Sequence, residues 1–196
     1  MQKKEVLLLL TDHWADWEVS YVISGINPTE KYVVKTIAID KLPKISIGGL
    51  RTEIDYCLNE YHNFDNLAML ILAGGFSWGQ DRHDEITNFV KKTANLNIPI
   101  SAICGATLFL AKHGFLNHVK HTGDTWEYFV ENLKNEASYT GQENFVPAQV
   151  VVDNGFITAN ETASVAFAYE IFKTLKLFDE EALAMWYDYF KNGIFR

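Results

Sequence analysis

Uninterrupted apolar runs alternate along the chain with segments in which apolar residues recur at helical spacing. Such runs predict strands that are buried on both faces of a sheet, whereas the 3.6-residue period predicts helices. The predicted strands cover residues 5–10, 32–39, 67–73, 98–103, 149–152 and 156–159, and residues 119–123 form a short strand-like segment. The predicted helices cover residues 16–25, 84–95, 106–113, 124–133, 162–175 and 180–190.

Strands that alternate with helices indicate an α/β fold, a three-layer α/β/α sandwich in which helices cover both faces of a mostly parallel sheet. Two glycine-containing turns interrupt this pattern. Gly48 and Gly49 predict a hairpin or bent pair within residues 45–54, and the sequence DNG at 153–155 predicts a tight turn between two strands. No linker, internal repeat or low-complexity tract divides the chain, so we expect a single domain over residues 1–196.

Charge and composition narrow the range of partners. The 196 residues carry a net charge of −8, and the isoelectric point is about 5.2. These values argue against binding to nucleic acid or to an anionic membrane. The N-terminal apolar run ends at Asp12 and His13 without a small-residue cleavage site, which favours a strand over a signal peptide. No run approaches the 18 apolar residues that a transmembrane helix needs.

The chain has two cysteines, Cys57 and Cys104, which form neither a disulfide framework nor a metal-binding pattern. We therefore expect a reducing, cytoplasmic setting. The sequence has no phosphate-binding loop and no metal cluster, so it predicts no cofactor and no metal.

Three polar segments follow predicted strands directly. They are residues 12–18 after the first strand, Gly74 and Gly75 after the sequence LAMLILA, and Cys104 and Gly105 after the sequence IPISAI. Parallel sheets bind ligands beyond the carboxyl ends of their strands, so we expect these segments to meet at one rim.

The sequence AICGA places Cys104 at a strand-to-helix turn, which is the position of a nucleophile in an elbow. The helix N-terminus would favour the thiolate, and N–H groups of the turn and of Gly75 would hold an oxyanion. A buried structural cysteine is the alternative that the spacing leaves open.

Four motifs resemble the ThiJ/PfpI superfamily, which has the class I glutamine amidotransferase-like fold. They are ADWE at 15–18, ILAGG at 71–75, AICGATLFLA at 102–111 with GFL at 114–116, and ITANETASVAFA at 157–168. The resemblance implies a flavodoxin-like sheet with a nucleophile elbow. The HTG at 121–123 is similar to a bacterial subgroup of uncharacterised intracellular cysteine proteases or amidases.

By this resemblance Cys104 is the nucleophile, Glu18 is the acid beside its thiol, and Gly75 and Gly105 supply the oxyanion-hole amides. A carboxyl beside a thiolate should keep its proton to a higher pH, because like charges repel. Family peptidases often carry histidine directly after the nucleophile, where this chain has Gly105. We therefore take His121 as the candidate base.

Other polar residues have weaker assignments. Asp12 and His13 are candidates for the pocket wall, and Asp124 either orients His121 or caps the helix that follows. Trp14, Trp17 and Trp78 are expected to pack in the core or at the rim, and Asn160 and Glu161 are expected to cap the next helix. Cys57 is interpreted as structural, and His62 and His83 as loop residues.

Three functions share this site. The first is a cysteine hydrolase that acts on an amide or a small peptide. The second is a glyoxalase-like or deglycase-like enzyme that acts on reactive carbonyls, and the third is a redox-sensing thiol in a stress-response protein. The expected partner is a small molecule or peptide. The resemblance also implies a homodimer, for which the apolar segment 185–190 is either the interface or packing on the sheet.

Overall fold

The computed structural model describes residues 2–79 and 84–193, so His83 lies outside the described residues. The strands are β1 Lys4–Leu9, β2 Tyr32–Ala38, β3 Lys44–Ile45, β4 Arg51–Thr52, β5 Tyr56–Cys57, β6 Leu67–Leu72, β7 Ile100–Ile103, β8 Val150–Asp153 and β9 Phe156–Ala159. The α-helices are α1 Asp16–Ile26, α2 Asp84–Asn95, α3 Gly105–Lys112, α4 Trp126–Leu133, α5 Ser164–Thr174 and α6 Glu180–Asn192. None of the described helices is long and apolar enough to cross a membrane.

Within residues 2–79 and 84–193, seven strands form one sheet in the order β5-β2-β1-β6-β7-β9-β8. Every neighbouring pair is parallel except β8 and β9, which form an antiparallel hairpin at the edge. Strand β1 lies between β2 and β6 and pairs through Leu7 with Lys35 of β2 and with Leu70 of β6. The mostly parallel α/β sheet that the sequence predicts is confirmed.

Alternation along the strands divides the core in two, because successive side chains of a strand point to opposite faces. Leu7 and Leu9 of β1 pack in a cluster with α2, α3 and α4 on one face. Val6 and Leu8 pack in a second cluster with α1, α5 and α6 on the other face. Both clusters are almost fully buried, so the sheet is covered on both sides as the continuous apolar runs indicate.

The structure differs from the sequence prediction at several short elements. The expected hairpin at 45–54 is β3 and β4, which form a separate two-stranded sheet. Residues 119–123 form no strand: His121 makes an isolated bridge with Phe145, and the Thr122 N–H donates to the side chain of Thr158. Strand β5, which contains Cys57, is too short for a periodic pattern and was not predicted.

Helix α6 packs on neighbouring helices. Trp186 lies 5.0 Å from Phe172 of α5 and 6.2 Å from Tyr21 of α1 between ring centroids. Tyr189 and Phe190 remain partly exposed on the outer side. The expected homodimer stays a prediction.

Candidate active site

A cavity of about 440 Å³ lies at the rim where β6 and β7 end. Its lining combines backbone of the two glycine turns with aromatic and acidic side chains. The lining residues are Gly75, Phe76, Trp78, Gly79, Cys104, Gly105, Leu108, Asp124, Thr125, Tyr128, Asn132 and Glu161. The cavity therefore lies where parallel sheets bind ligands, beyond the carboxyl ends of their strands.

Cys104 lies between β7 and α3 in a backbone conformation that side-chain-bearing residues rarely adopt. Its φ is 54° and its ψ is −131°. Its N–H donates to the carbonyl of Ala159 at 2.9 Å, and its own carbonyl accepts from the Thr107 N–H at 2.8 Å. Strained backbone of this kind persists only where the surroundings hold it, and it concentrates at functional turns. The sharp turn leaves the Cys104 side chain partly exposed in the cavity.

The two predicted oxyanion-hole glycines lie against each other. Gly75 has φ 141°, and a Cβ there would lie 2.3 Å from the carbonyl oxygen of His13. A Cβ on Gly105 would lie 2.8 Å from the carbonyl oxygen of Gly75. Only glycine fits both positions, since a methyl group would collide with backbone. Neither N–H donates to a carbonyl within the described chain, and the Gly105 N–H faces the Cys104 thiol.

Glu18 lies in the first turn of α1 with its side chain fully buried beside Cys104. Burial raises the pKa of Glu18 to about 8. The Cys104 thiol and the Gly74 N–H lie close enough to oppose this rise, but neither carboxyl oxygen has a hydrogen-bond partner with proper geometry among the described residues. At neutral pH the group is therefore mainly a neutral carboxylic acid, as expected for a buried carboxyl.

Gly74 makes room for this contact. A Cβ on Gly74 would lie 2.2 Å from Oε2 of Glu18, 2.8 Å from Cβ of Cys104 and 2.8 Å from the carbonyl oxygen of Ile103. The two glycines of ILAGG, Gly74 and Gly75, thus have different structural roles. Gly74 admits the carboxyl to the thiol, and Gly75 turns the backbone past the strand-1 rim.

Asp124 and Glu161 are the cavity residues that the sequence analysis assigned elsewhere. The expected capping roles are wrong: the helix cap of α4 is Thr125, and that of α5 is Ala163. The Glu161 N–H instead donates to Oδ1 of Asp124 at 3.1 Å. Sγ of Cys104 and one carboxylate oxygen of each acid lie within 4.8 Å of one another. These three residues have the spacing to hold a cation, although acidic groups often lie together without one.

Charge and burial determine the protonation of the thiol. Burial, and after it the charges of Glu18 and Asp124, raise the pKa of Cys104, whereas the Gly105 N–H lowers it. We expected the helix N-terminus to favour the thiolate, but burial and the acidic neighbours outweigh this effect. The resting group is therefore a thiol. Burial also raises the pKa of Asp124, and the Cys104 thiol lowers it in part, as an S–H donor would.

His121 does not reach the cavity. It is fully buried, and its Nδ1 lies 2.8 Å from the carbonyl oxygen of Val119, to which it must donate. Nε2 lies 2.8 Å from the hydroxyl of Tyr139, so the hydroxyl donates a hydrogen bond to Nε2 when the ring is neutral. Burial lowers the pKa of His121, which favours this neutral form. Both ring nitrogens are thus engaged in holding the 119–139 segment, and the structure does not place the expected base beside Cys104.

Asp12 and His13 are exposed at the same rim but do not line the cavity. The Asp12 carboxylate lies 3.7 Å from the Lys44 ammonium, and the His13 carbonyl accepts from the Phe76 N–H at 3.2 Å. His13 therefore acts through its backbone, which anchors the residue after Gly75. Trp78, expected as packing, is buried and also forms part of the cavity wall.

Comparison with known proteins agrees with this architecture. Residues 4–174 match the DJ-1/PfpI family. The chain is 41% identical to the uncharacterized protease YdeA of Bacillus subtilis over 165 residues, which cover 84% of this chain and 79% of that protein. It is 33% identical to the uncharacterized protease YoaZ of the same organism over 194 residues, which cover 95% of this chain and 90% of that protein.

Among solved structures, a thiJ/pfpI family protein from Bacillus anthracis superposes with a TM-score of 0.90 at 30% identity, over 99% of this chain and 93% of the other. The family match over residues 4–174 includes the elbow, both glycine turns and α1. It therefore includes every residue to which the resemblance gives a role in the site. The chain belongs to the DJ-1/PfpI family.

Proposed function

We propose that the protein is a cysteine-dependent hydrolase that cleaves an amide or a small peptide at Cys104. The observation that supports this most directly is the strained elbow, which holds a partly exposed thiol in a cavity beside the Gly75 and Gly105 N–H groups, neither of which donates to a backbone carbonyl of the described residues. A nucleophile and oxyanion donors in one cavity are the parts that acyl transfer needs. Two relatives that bear the name uncharacterized protease support the same class.

Asp124 takes the role that was expected of histidine. Its carboxylate lies beside the thiol and accepts the Glu161 N–H, which holds it in place. As Sγ attacks the substrate carbonyl carbon, the thiol proton passes to Asp124. The resulting oxyanion accepts hydrogen bonds from the Gly75 and Gly105 N–H groups.

The intermediate collapses when the carbon–nitrogen bond breaks and the leaving amine takes the proton from Asp124. Water then attacks the thioester and gives a proton to Asp124, after which the carbon–sulfur bond breaks and the thiol regains its proton. Glu18 keeps its own proton at neutral pH and stabilises the transient thiolate as a hydrogen-bond donor.

A glyoxalase-like or deglycase-like reaction is a second candidate, and the buried Glu18 favours it. A neutral acid beside the thiol can give and take the proton that moves between two carbons of a hemithioacetal. The raised pKa of Cys104 keeps the resting group a thiol, so each of the three functions needs a group that takes the thiol proton. The hydrolase assigns this role to Asp124, whereas the redox-sensing alternative has no further observation in its favour.

The test is turnover of a panel of small amides, short peptides and 2-oxoaldehydes by the wild-type protein and three variants. Cys104→Ser and Asp124→Asn should each lower kcat for the amide substrate by about 10² or more. Cys57→Ser, which changes the other cysteine far from the cavity, should leave it unchanged. Mass spectrometry of quenched reactions should find the acyl group on the Cys104 peptide. Amide turnover that survives in Cys104→Ser would overturn the proposal, and turnover of oxoaldehydes alone would favour the second candidate.

A further inference from the structure

The cavity around Cys104 is acidic on one side and aromatic on another. Among the described lining residues, the charged ones are Asp124 and Glu161. Phe76 is 76% exposed and Tyr128 is 47% exposed, so both offer ring surface to an incoming molecule. Carboxylates together with aromatic faces are the groups that bind organic cations in proteins.

Glu18 adds a second, independent observation beneath the cavity. Its side chain is fully buried against Cys104. The Cys104 thiol and the Gly74 N–H lie nearby, but neither carboxyl oxygen has a partner with proper hydrogen-bond geometry among the described residues. An unpaired buried carboxyl is unfavourable for folding, so few proteins keep one without a use for it. Because Glu18 is mainly neutral at neutral pH, it offers a hydrogen-bonding group beside the thiol, and the charges that attract a cation are those of Asp124 and Glu161.

The surrounding charges have the same sign. The charges that act most strongly on the pKa values of Cys104, Glu18 and Asp124 are those of carboxylates, and each of them raises the pKa. A cation that binds here relieves this repulsion. An anion would add to it.

We propose that this cavity selects substrates that carry an ammonium or guanidinium group close to the carbonyl that Cys104 attacks. The inference rests on the proposed function and names its substrate class. The distances define where the charge lies, since both carboxylates are within 4.8 Å of Sγ. A cation between Asp124 and Glu161 is therefore only a few bonds from the reacting carbon, while the apolar part of the substrate lies against Phe76 and Tyr128.

Charge-matched thiol probes test this without any turnover. Labelling rates are measured by mass spectrometry with cationic 2-aminoethyl methanethiosulfonate and anionic 2-sulfonatoethyl methanethiosulfonate. The buffer has low ionic strength and contains EDTA, so that no metal ion neutralises the acids. The rate ratio of cation to anion at Cys104 is compared with the ratio at Cys57 and with that of glutathione. Glu161→Gln removes one carboxylate from the cavity, and Glu180→Gln, on the exposed start of α6, is the matched control.

The expected ratio at Cys104 is at least tenfold above that of glutathione. It should fall several-fold in Glu161→Gln and should not change in Glu180→Gln. A ratio at Cys104 equal to that of glutathione, or one that Glu161→Gln leaves unchanged, would overturn the inference and leave the proposed nucleophile standing. If neither probe labels Cys104 while both label Cys57, the nucleophile itself is refuted and the inference with it.

Discussion

Glu18→Gln should change how the stability of the protein depends on pH. Glutamine has nearly the same size and shape as glutamic acid but does not titrate. The wild-type carboxyl is fully buried, and its pKa is raised from the ordinary value of 4.5 to about 8. The variant therefore keeps the packing beside Cys104 and removes only the ionisation.

The sign follows from proton linkage. The unfolded chain releases the Glu18 proton near pH 4.5, whereas the folded protein holds it until about pH 8. The proton on Glu18 contributes its full stabilisation at pH values below the pKa of Glu18 in the unfolded chain. This stabilisation is lost as the pH rises through the pKa of Glu18 in the folded protein. With about 1.4 kcal/mol for each pKa unit, the full loss is at most about 5 kcal/mol. About 3 kcal/mol of it falls between pH 5 and pH 8.

Urea unfolding, followed by tryptophan fluorescence at pH 5 and pH 8, measures this effect. The unfolding free energy of Glu18→Gln, relative to wild type, should increase by about 3 kcal/mol between the two pH values. Glu30→Gln removes the same charge from an exposed loop, and its difference from wild type should change by no more than about 0.5 kcal/mol. An equal Glu18→Gln difference at both pH values would refute the reasoning, because it would mean that the folded protein does not hold the Glu18 proton.

Two further substitutions test the architecture around the thiol. Gly74→Ala places a methyl group 2.2 Å from a Glu18 oxygen, so it should lower the unfolding free energy by about 2 kcal/mol and abolish turnover. Gly79→Ala, whose Cβ meets no described atom within 4 Å, is its stability control in the same urea titration. His121→Ala removes a buried ring with two hydrogen bonds and should lower the unfolding free energy by about 3 kcal/mol. The alkylation rate of Cys104 in folded His121→Ala should stay at the wild-type value, and a large fall would return His121 to the active site.

Local sequence patterns predict most of the fold and the location of the candidate nucleophile. The runs at β1, β6 and β7 have no polar face, so they had to be buried on both sides, and helices between them had to cover the sheet. Cys104 and Gly105 follow β7 directly, and Gly75 follows β6 after two residues, Ala73 and Gly74. The carboxyl ends of parallel strands meet at one edge of the sheet, so the order of the segments predicts that these residues lie together, whereas their roles follow from the resemblance to the family.

The acidic residues proposed to handle protons could not be found in this way. Asp124 lies at the end of a segment that has no regular structure, where its spacing fits a helix cap as well as a cavity wall. Glu161 comes 37 positions later, and the bond from its N–H to Asp124 forms only when both loops fold over the same rim. His121 has the right residue type close to the right position, but the rotation of its ring toward Tyr139 is set by packing.

The sequence by itself determined the α/β/α sandwich, because apolar runs without a polar face must be buried on both sides of a sheet. It also determined the positions of the elbow and of the glycine turns, because sharp turns restrict which residue types fit. Only the tertiary structure decided the protonation of the site. The pKa of a group depends on its burial and on charges brought near it from distant parts of the chain. Hence Glu18 holds its proton to about pH 8, and Asp124 rather than His121 lies beside the thiol.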